Sequence, residues 1–131
     1  EQASSRPEAM ALEYRNFRMT YGELDGEANA LARLLIDSGV ERGDHVGLMV
    51  NRSPDMAVSL LAILKAGAAY LPLDPEYPRA RLARLIADAR PRLILAAEAY
   101  QARLPEGAPV LGVDRARSRM GSYARTRPQV P

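Results

Sequence analysis

The chain has no cysteine and no tryptophan, and only one phenylalanine, one histidine and one lysine among its 131 residues. Without cysteine there are no disulfides, no thiolate zinc sites and no thiol nucleophile. With so few aromatic rings, the core must be built from Leu, Ile, Val and Ala. No apolar stretch approaches the roughly 20 residues that a membrane-spanning helix needs. The first ten residues, EQASSRPEAM, are polar and lack the apolar segment of a secretory signal. These absences together fit a cytoplasmic protein. The sequence opens on Glu1 rather than Met, which suggests a piece of something longer.

What is present is ordinary for a globular domain: 47% hydrophobic and 26% charged residues, at a length of one domain or less. The net charge of +2 is unevenly placed. From Asp114 onward five arginines (Arg115, Arg117, Arg119, Arg125, Arg127) face one acid, a balance of +4, so the preceding body carries −2. A basic tail can contact phosphates. Here only Tyr123 accompanies it, with no binding motif around it, so a solvated linker is the preferred reading and nucleic acid is not an expected partner.

Secondary structure follows from pattern. Gln2 to Pro7 suggests one helical turn. Met10 to Tyr14 and Phe17 to Met19 read as a hairpin turning at Arg15-Asn16. Thr20 and Glu23 form a capping box, and Leu24, Ala28, Leu31, Leu34 and Leu35 follow at helical spacing up to Gly39. His45 to Val50 has few polar side chains on either face, as in a strand covered on both sides. Ser53 and Pro54 are N-cap and first residue of a second helix, nearly all apolar from Met56 to Leu64 and therefore expected to be heavily buried; Gly67 ends it. Ala69 to Leu73 is a strand closed by Asp74-Pro75. Pro78 opens a third helix with Leu82, Leu85, Ile86 and Ala89 inward and Arg79, Arg81, Arg84 and Asp88 outward, stopped by Pro91. Leu93 to Ala96 and Val110 to Val113 are strands flanking a short turn or helix near Glu98 to Arg103. After Asp114 no periodicity is evident. Alternating strands and helices imply a layered α/β fold with a mostly parallel sheet and flanking helices. The expected division is 1–113 as a folded unit and 114–131 as a basic, flexible linker.

Two stretches carry a family resemblance. MTYGELDGEANALARLL, from Met19 to Leu35, resembles the first core motif of nonribosomal peptide synthetase adenylation domains, Leu-Thr-Tyr-x-Glu-Leu. LKAGAAYLPLDPEYP, from Leu64 to Pro78, matches the second core motif nearly residue for residue. The intervening GVERGDHVGLMVNRSPDM and the later DARPRLILA follow the same family's wording, so the likeness runs from about Glu1 to Asp114. The superfamily also includes acyl-CoA synthetases and luciferases; AYLPLDPEYP resembles the amino-acid-activating branch. The resemblance implies the N-terminal portion of the adenylate-forming fold. In the full parent it implies activation of an amino acid by ATP with Mg²⁺, release of pyrophosphate, and transfer to the phosphopantetheine thiol of a carrier protein. The implied partners are the remainder of the adenylation domain and that carrier, with no membrane. A second reading is a non-enzymatic α/β module that completes a site with a partner chain.

The phosphate chemistry of that family is not visible in these residues. Backbone N–H groups of a glycine-rich loop normally cradle phosphates. The family's loop is Ser/Thr/Gly-rich and ends in Pro-Lys-Gly, and no such segment occurs here; Gly22 and Gly26 lie in a helix and Gly43 and Gly47 flank a strand. The catalytic lysine and the ribose-binding acid that the resemblance implies are absent too. No residue is therefore assigned as catalytic, cofactor-binding or metal-binding, and this chain is expected to be inactive alone. Five positions invite assignment. Lys65 could contact a phosphate, but a cation complementing a helix C-terminus is the simpler reading. Asp74 follows a strand, where α/β folds place ligand groups, yet turn capping ahead of Pro75 is preferred. His45 is a lone histidine opening a strand, and Tyr70 and Tyr77 read as packing residues with hydroxyls at a rim. If the intact sheet continues elsewhere, an uncovered edge or apolar face should remain, with marginal stability or self-association.

Overall fold

A computed structural model describes residues 10–14, 17–50, 54–126 and 128. The expected turn at Gln2 to Pro7, the Arg15-Asn16 turn and the Ser53 cap lie outside the described residues. A hairpin comes first. β1 (Met10–Tyr14) pairs antiparallel with β2 (Phe17–Thr20), with Tyr14 opposite Phe17 and a register irregularity between Met10 and Leu12.

Helix α1 (Tyr21–Asp37) starts at the reciprocal cap the sequence announces. Thr20 Oγ1 accepts from the Glu23 amide at 3.1 Å and Glu23 Oε1 accepts from the Thr20 amide at 2.9 Å. The helix closes at Ser38, and Gly39 turns the chain with φ of +106°, a conformation side chains resist.

The main sheet has four parallel strands in the order β4-β3-β5-β6: β3 (His45–Met49), β4 (Ala69–Pro72), β5 (Leu93–Ala96) and β6 (Val110–Gly112). Helix α2 (Pro54–Lys65) joins β3 to β4 on one side, and α3 (Arg79–Ala89) carries the chain back past β3 to β5 on the other. Right-handed crossovers running in opposite directions place their helices on opposite faces, and the cores agree. Val46 and Leu48 of β3 pack with Leu95, Leu111, α1 and α2, while Met49, Ile94 and Ala96 pack with Leu82 and Ile86 of α3. The alternation is that of a strand buried on both faces.

Three expectations need correction. Helix α2 is buried on one side only: Val58, Ser59, Ala62 and Ile63 are buried, but Leu64 is 59% exposed. The strand expected to reach Val113 ends at Gly112. Most consequentially, the chain after Asp114 is not a linker throughout, because Val113–Met120 forms helix α4. Val113, Ala116 and Met120 are buried in the same core as Val46 and Leu95. Their spacing of three and four residues is one face of a helix, and the intervening arginines obscure it. A 3-10 turn over Glu98–Arg103 stands where a short turn or helix was expected. No helix among the described residues is long and apolar enough to cross a membrane.

Candidate functional site

Parallel α/β sheets bind ligands beyond the carboxyl ends of their strands, where the strand order reverses. Here that point lies between β3 and β5, whose ends are tied by the Ala97 amide donating to the Met49 carbonyl at 3.1 Å. Asp55, in the first turn of the helix that follows β3, forms an ion pair with Arg117 of α4. Glu27, Asp55, Arg117 and Arg125 border a cleft of about 600 Å³ with Met19, Val58 and Met120 in its lining. A chamber of about 20 Å³, lined in part by Ser59, Leu95 and Ala116, adjoins it and shares Glu27, Asp55 and Arg117. That volume suits about one water molecule. Asp55 is a residue that sequence reasoning did not single out, and Arg117 and Arg125 entered it only as members of the basic tail. The Val113, Ala116, Met120 spacing is the signal that would have placed α4, and with it Arg117, against α2.

The weighed residues do not meet in this cleft. Lys65, the only lysine, pairs with Asp25 of α1 at 2.7 Å, and its side chain is 5% exposed. It sits in the last turn of α2, as the helix-end reading expects, and Asp25 also accepts from Asn29 Nδ2 at 3.3 Å. Asp74 closes a turn: its Oδ1 accepts from the Glu76 amide at 2.9 Å and its carbonyl from the Tyr77 amide at 3.1 Å. His45 is exposed at the opposite, amino end of β3, where the Arg92 amide donates to its carbonyl at 2.7 Å. Tyr70 is 38% exposed on the edge strand β4. Tyr77 carries the Arg81 guanidinium 3.9 Å from its ring centroid, and its carbonyl accepts from Arg103 Nη2 at 2.8 Å.

Displaced ionisation also falls away from the cleft. The Asp44 carboxyl lies below the usual carboxylate range, chiefly because its Oδ2 accepts from the Glu41 amide at 2.8 Å, with Arg92 adding to the effect. Tyr123 is raised because its hydroxyl donates to Asp37 Oδ2 at 2.6 Å. Both are turn or surface contacts, not an acid–base pair facing a substrate.

ATP with Mg²⁺ fits the described residues poorly. The lysine is already paired, and no group of three His, Cys, Asp or Glu among the described residues could hold a metal. None of the described residues is therefore assigned to nucleotide or metal binding.

Fold and site together define a parallel α/β unit whose sheet is covered by helices on both faces. The chain belongs to the AMP-binding enzyme family, which it matches over residues 1–129. It is 52% identical over 95 residues to the dimodular nonribosomal peptide synthase of Bacillus subtilis, a match covering 72% of this chain and 4% of that protein. Against malpinin synthetase of Mortierella alpina it is 50% identical over 105 residues, 79% of this chain and 1% of that one. Among solved structures, the nonribosomal peptide synthetase FmoA3 in its AMPPNP-bound form superposes with a TM-score of 0.87 at 31% identity, covering 99% of this chain and 14% of that chain. The Klebsiella oxytoca NpsA N-terminal subdomain gives 0.82 at 25% identity, covering 98% of this chain and 33% of that one. The chain thus corresponds to the N-terminal part of such an adenylation domain and spans a few per cent of the synthetases it resembles.

Proposed function

We propose that this chain is the opening scaffold of an amino-acid-activating adenylation domain. In the parent reaction an amino-acid carboxylate oxygen attacks the α-phosphorus of ATP, pyrophosphate leaves, and an aminoacyl adenylate remains. The thiol of a carrier-bound phosphopantetheine then attacks the acyl carbon and AMP departs. The 52% identity over 95 residues to a synthase named for nonribosomal peptide synthesis carries this reading. Supporting it, a solved relative holds α-methyl-L-serine-AMP, and another is an artificially fused adenylation–PCP di-domain. Mg²⁺ with the nucleotide, a carrier-protein partner and a cytoplasmic setting belong to the same proposal.

The contribution of these residues is positional. The hairpin, α1 and the β4-β3-β5-β6 sheet form one wall of the enzyme, with α4 closing the same core. Phosphate cradle, amino-acid pocket and catalytic lysine are supplied by the remainder of the domain. The test is a chimera in which residues 10–112 replace the matching segment of a Bacillus subtilis synthase adenylation domain. ATP–pyrophosphate exchange should persist with the host's own amino acid, while the 131-residue chain alone shows none. A folded chimera without exchange, a change of amino acid, or exchange by the chain alone would each overturn the scaffold assignment.

A further inference from the structure

Helix α1 is covered on more of its surface than an amphipathic helix requires. Ala28, Asn29, Ala30, Leu31 and Ala32 are consecutive and all buried, and five residues exceed one 3.6-residue turn. Part of the cover is the segment that follows α4. Asn29 Nδ2 donates to the Arg125 carbonyl at 2.9 Å, and Arg33 Nε donates to the Thr126 carbonyl at 2.9 Å. Arg33 Nη2 reaches Thr126 Oγ1 at 2.9 Å, and Tyr123 anchors the segment to Asp37. The Arg125 side chain lies over Gly26, where a Cβ would stand 3.6 Å from it, in ordinary contact.

Asn29 and Arg33 are four residues apart and so share one face of the helix. Each grips a main-chain carbonyl, and the two carbonyls are adjacent. Contacts of this kind read chain geometry and carry no side-chain information. The oxygen of the same Asn29 side-chain amide, Oδ1, is buried without a hydrogen-bond partner. It is an acceptor for a main-chain N–H beside a carbonyl already held, and an unmet buried acceptor is costly.

We propose that the Asn29–Arg33 face of α1 is a docking track for extended polypeptide, and that residues 121–126 are a detachable strap occupying it. Gly121, Ser122, Ala124, Arg125 and Thr126 are exposed and Tyr123 is only partly buried against the core, so polar contacts supply most of what holds the strap. It can lift while Val113, Ala116 and Met120 keep α4 in the core. The proposal is independent of which reaction the parent enzyme performs.

Trypsin cleavage of the full chain at the Arg125–Thr126 bond, followed by mass spectrometry of the released 126–131 peptide, tests this directly. When opening is fast, cleavage tracks the population of the lifted strap. Asn29→Ala should raise the initial rate about tenfold, and Arg33→Ala by a similar factor, from the loss of one or two hydrogen bonds. Thr126→Val keeps the carbonyl and should change the rate less than about twofold. Thermal melts followed by circular dichroism report on the body. If Asn29→Ala also lowers the melting point, Arg33→Ala, at a half-buried position, decides the question. Unchanged cleavage in Arg33→Ala, or a Thr126→Val effect as large as that of Arg33→Ala, would overturn the proposal.

Discussion

One face of the sheet is covered by α1, α2 and α4, and the other by α3 with the 3-10 turn beside it. On the thick side α1 and α2 lock together, and Leu34, Leu35, Val46 and Ile63 are all 0% exposed. On the thin side the helix contributes Leu82 and Ile86 as its buried residues. The strand backbone there is approached closely: a Cβ on Gly47 would stand 3.0 Å from Leu73 Cδ1 and 3.1 Å from Ile94 Cγ1. Among the described residues, the exposed large apolar groups are Leu64 at the end of α2, Tyr70 on edge strand β4 and Val110 on the other edge strand, β6. The contrast assigns the two sides different work. The thick side holds the unit together through its enclosed core, while apolar surface remains uncovered at the two strand edges and on the outer side of α2, as expected where more of a larger domain packs.

The largest test of this contrast compares two leucine truncations. Leu34→Ala, in α1, should cost about 2–5 kcal/mol of global stability, because a fully enclosed site leaves a cavity. It would be read as a lowered urea midpoint with every probe moving together. Leu82→Ala removes the same atoms from a site that is equally enclosed, but on the face covered by a single helix. Its effect should appear as local opening of Arg79–Ala89, seen as faster amide exchange there with β3 and β5 still protected. If Leu82→Ala instead lowers the global midpoint as much as Leu34→Ala, with no local opening, the two sides form one cooperative unit and the contrast fails.

A smaller change asks whether the thick side owes its strength to packing or to charge. Lys65→Met preserves most of the side chain's volume and removes the cation from Asp25. An unpaired buried carboxylate costs several kcal/mol, but Asp25 is 30% exposed and can rehydrate, so about 1–3 kcal/mol is expected. The double variant Lys65→Met/Asp25→Leu should recover most of that loss in urea unfolding. Failure to recover would show that the ion pair itself, with the Asn29 contact it orients, fixes how α1 sits on α2.

Much of the scaffold was legible in the residues because the relevant signals are local. The Thr20–Glu23 cap, the Gly39 exit, the doubly apolar β3 and the Pro78 start each act within a few positions, and each lies where the pattern placed it. Partner contacts set at long range were less legible. Leu64 looks like core by hydropathy yet faces out, because α2 has α1 and the sheet on one side only. Helix α4 was missed because arginine dominates its composition, although Val113, Ala116 and Met120 keep helical spacing. Lys65 and Asp25 are forty residues apart in sequence, and Asn29 and Arg125 ninety-six; no spacing rule brings such pairs together. The cleft between α1, α2 and α4 went unseen for the same reason.

The smallest expected effect lies where the two sides meet. Asp44 follows α1, on the thick side, and its Oδ2 is 3.1 Å from Arg92 Nε, which follows α3 on the thin side. The same oxygen takes the Glu41 amide, and that bond is the main reason the carboxyl stays ionised to lower pH than a free one. A carboxyl depressed in the folded state stabilises fully above its unfolded pKa, and that contribution disappears as pH falls through the folded value. Acidification below about pH 4, where aspartate ordinarily protonates, should therefore loosen the Glu41–Asp44 turn and its link to Arg92. The Glu41 amide resonance should titrate with a midpoint lower than that of a free aspartate. In Asp44→Asn the titration should vanish, and the fall in melting temperature between about pH 5 and pH 3 should be shallower. A Glu41 amide that titrates at the ordinary aspartate value would mean that Asp44 does not hold the turn, leaving the thick and thin sides joined through the sheet alone.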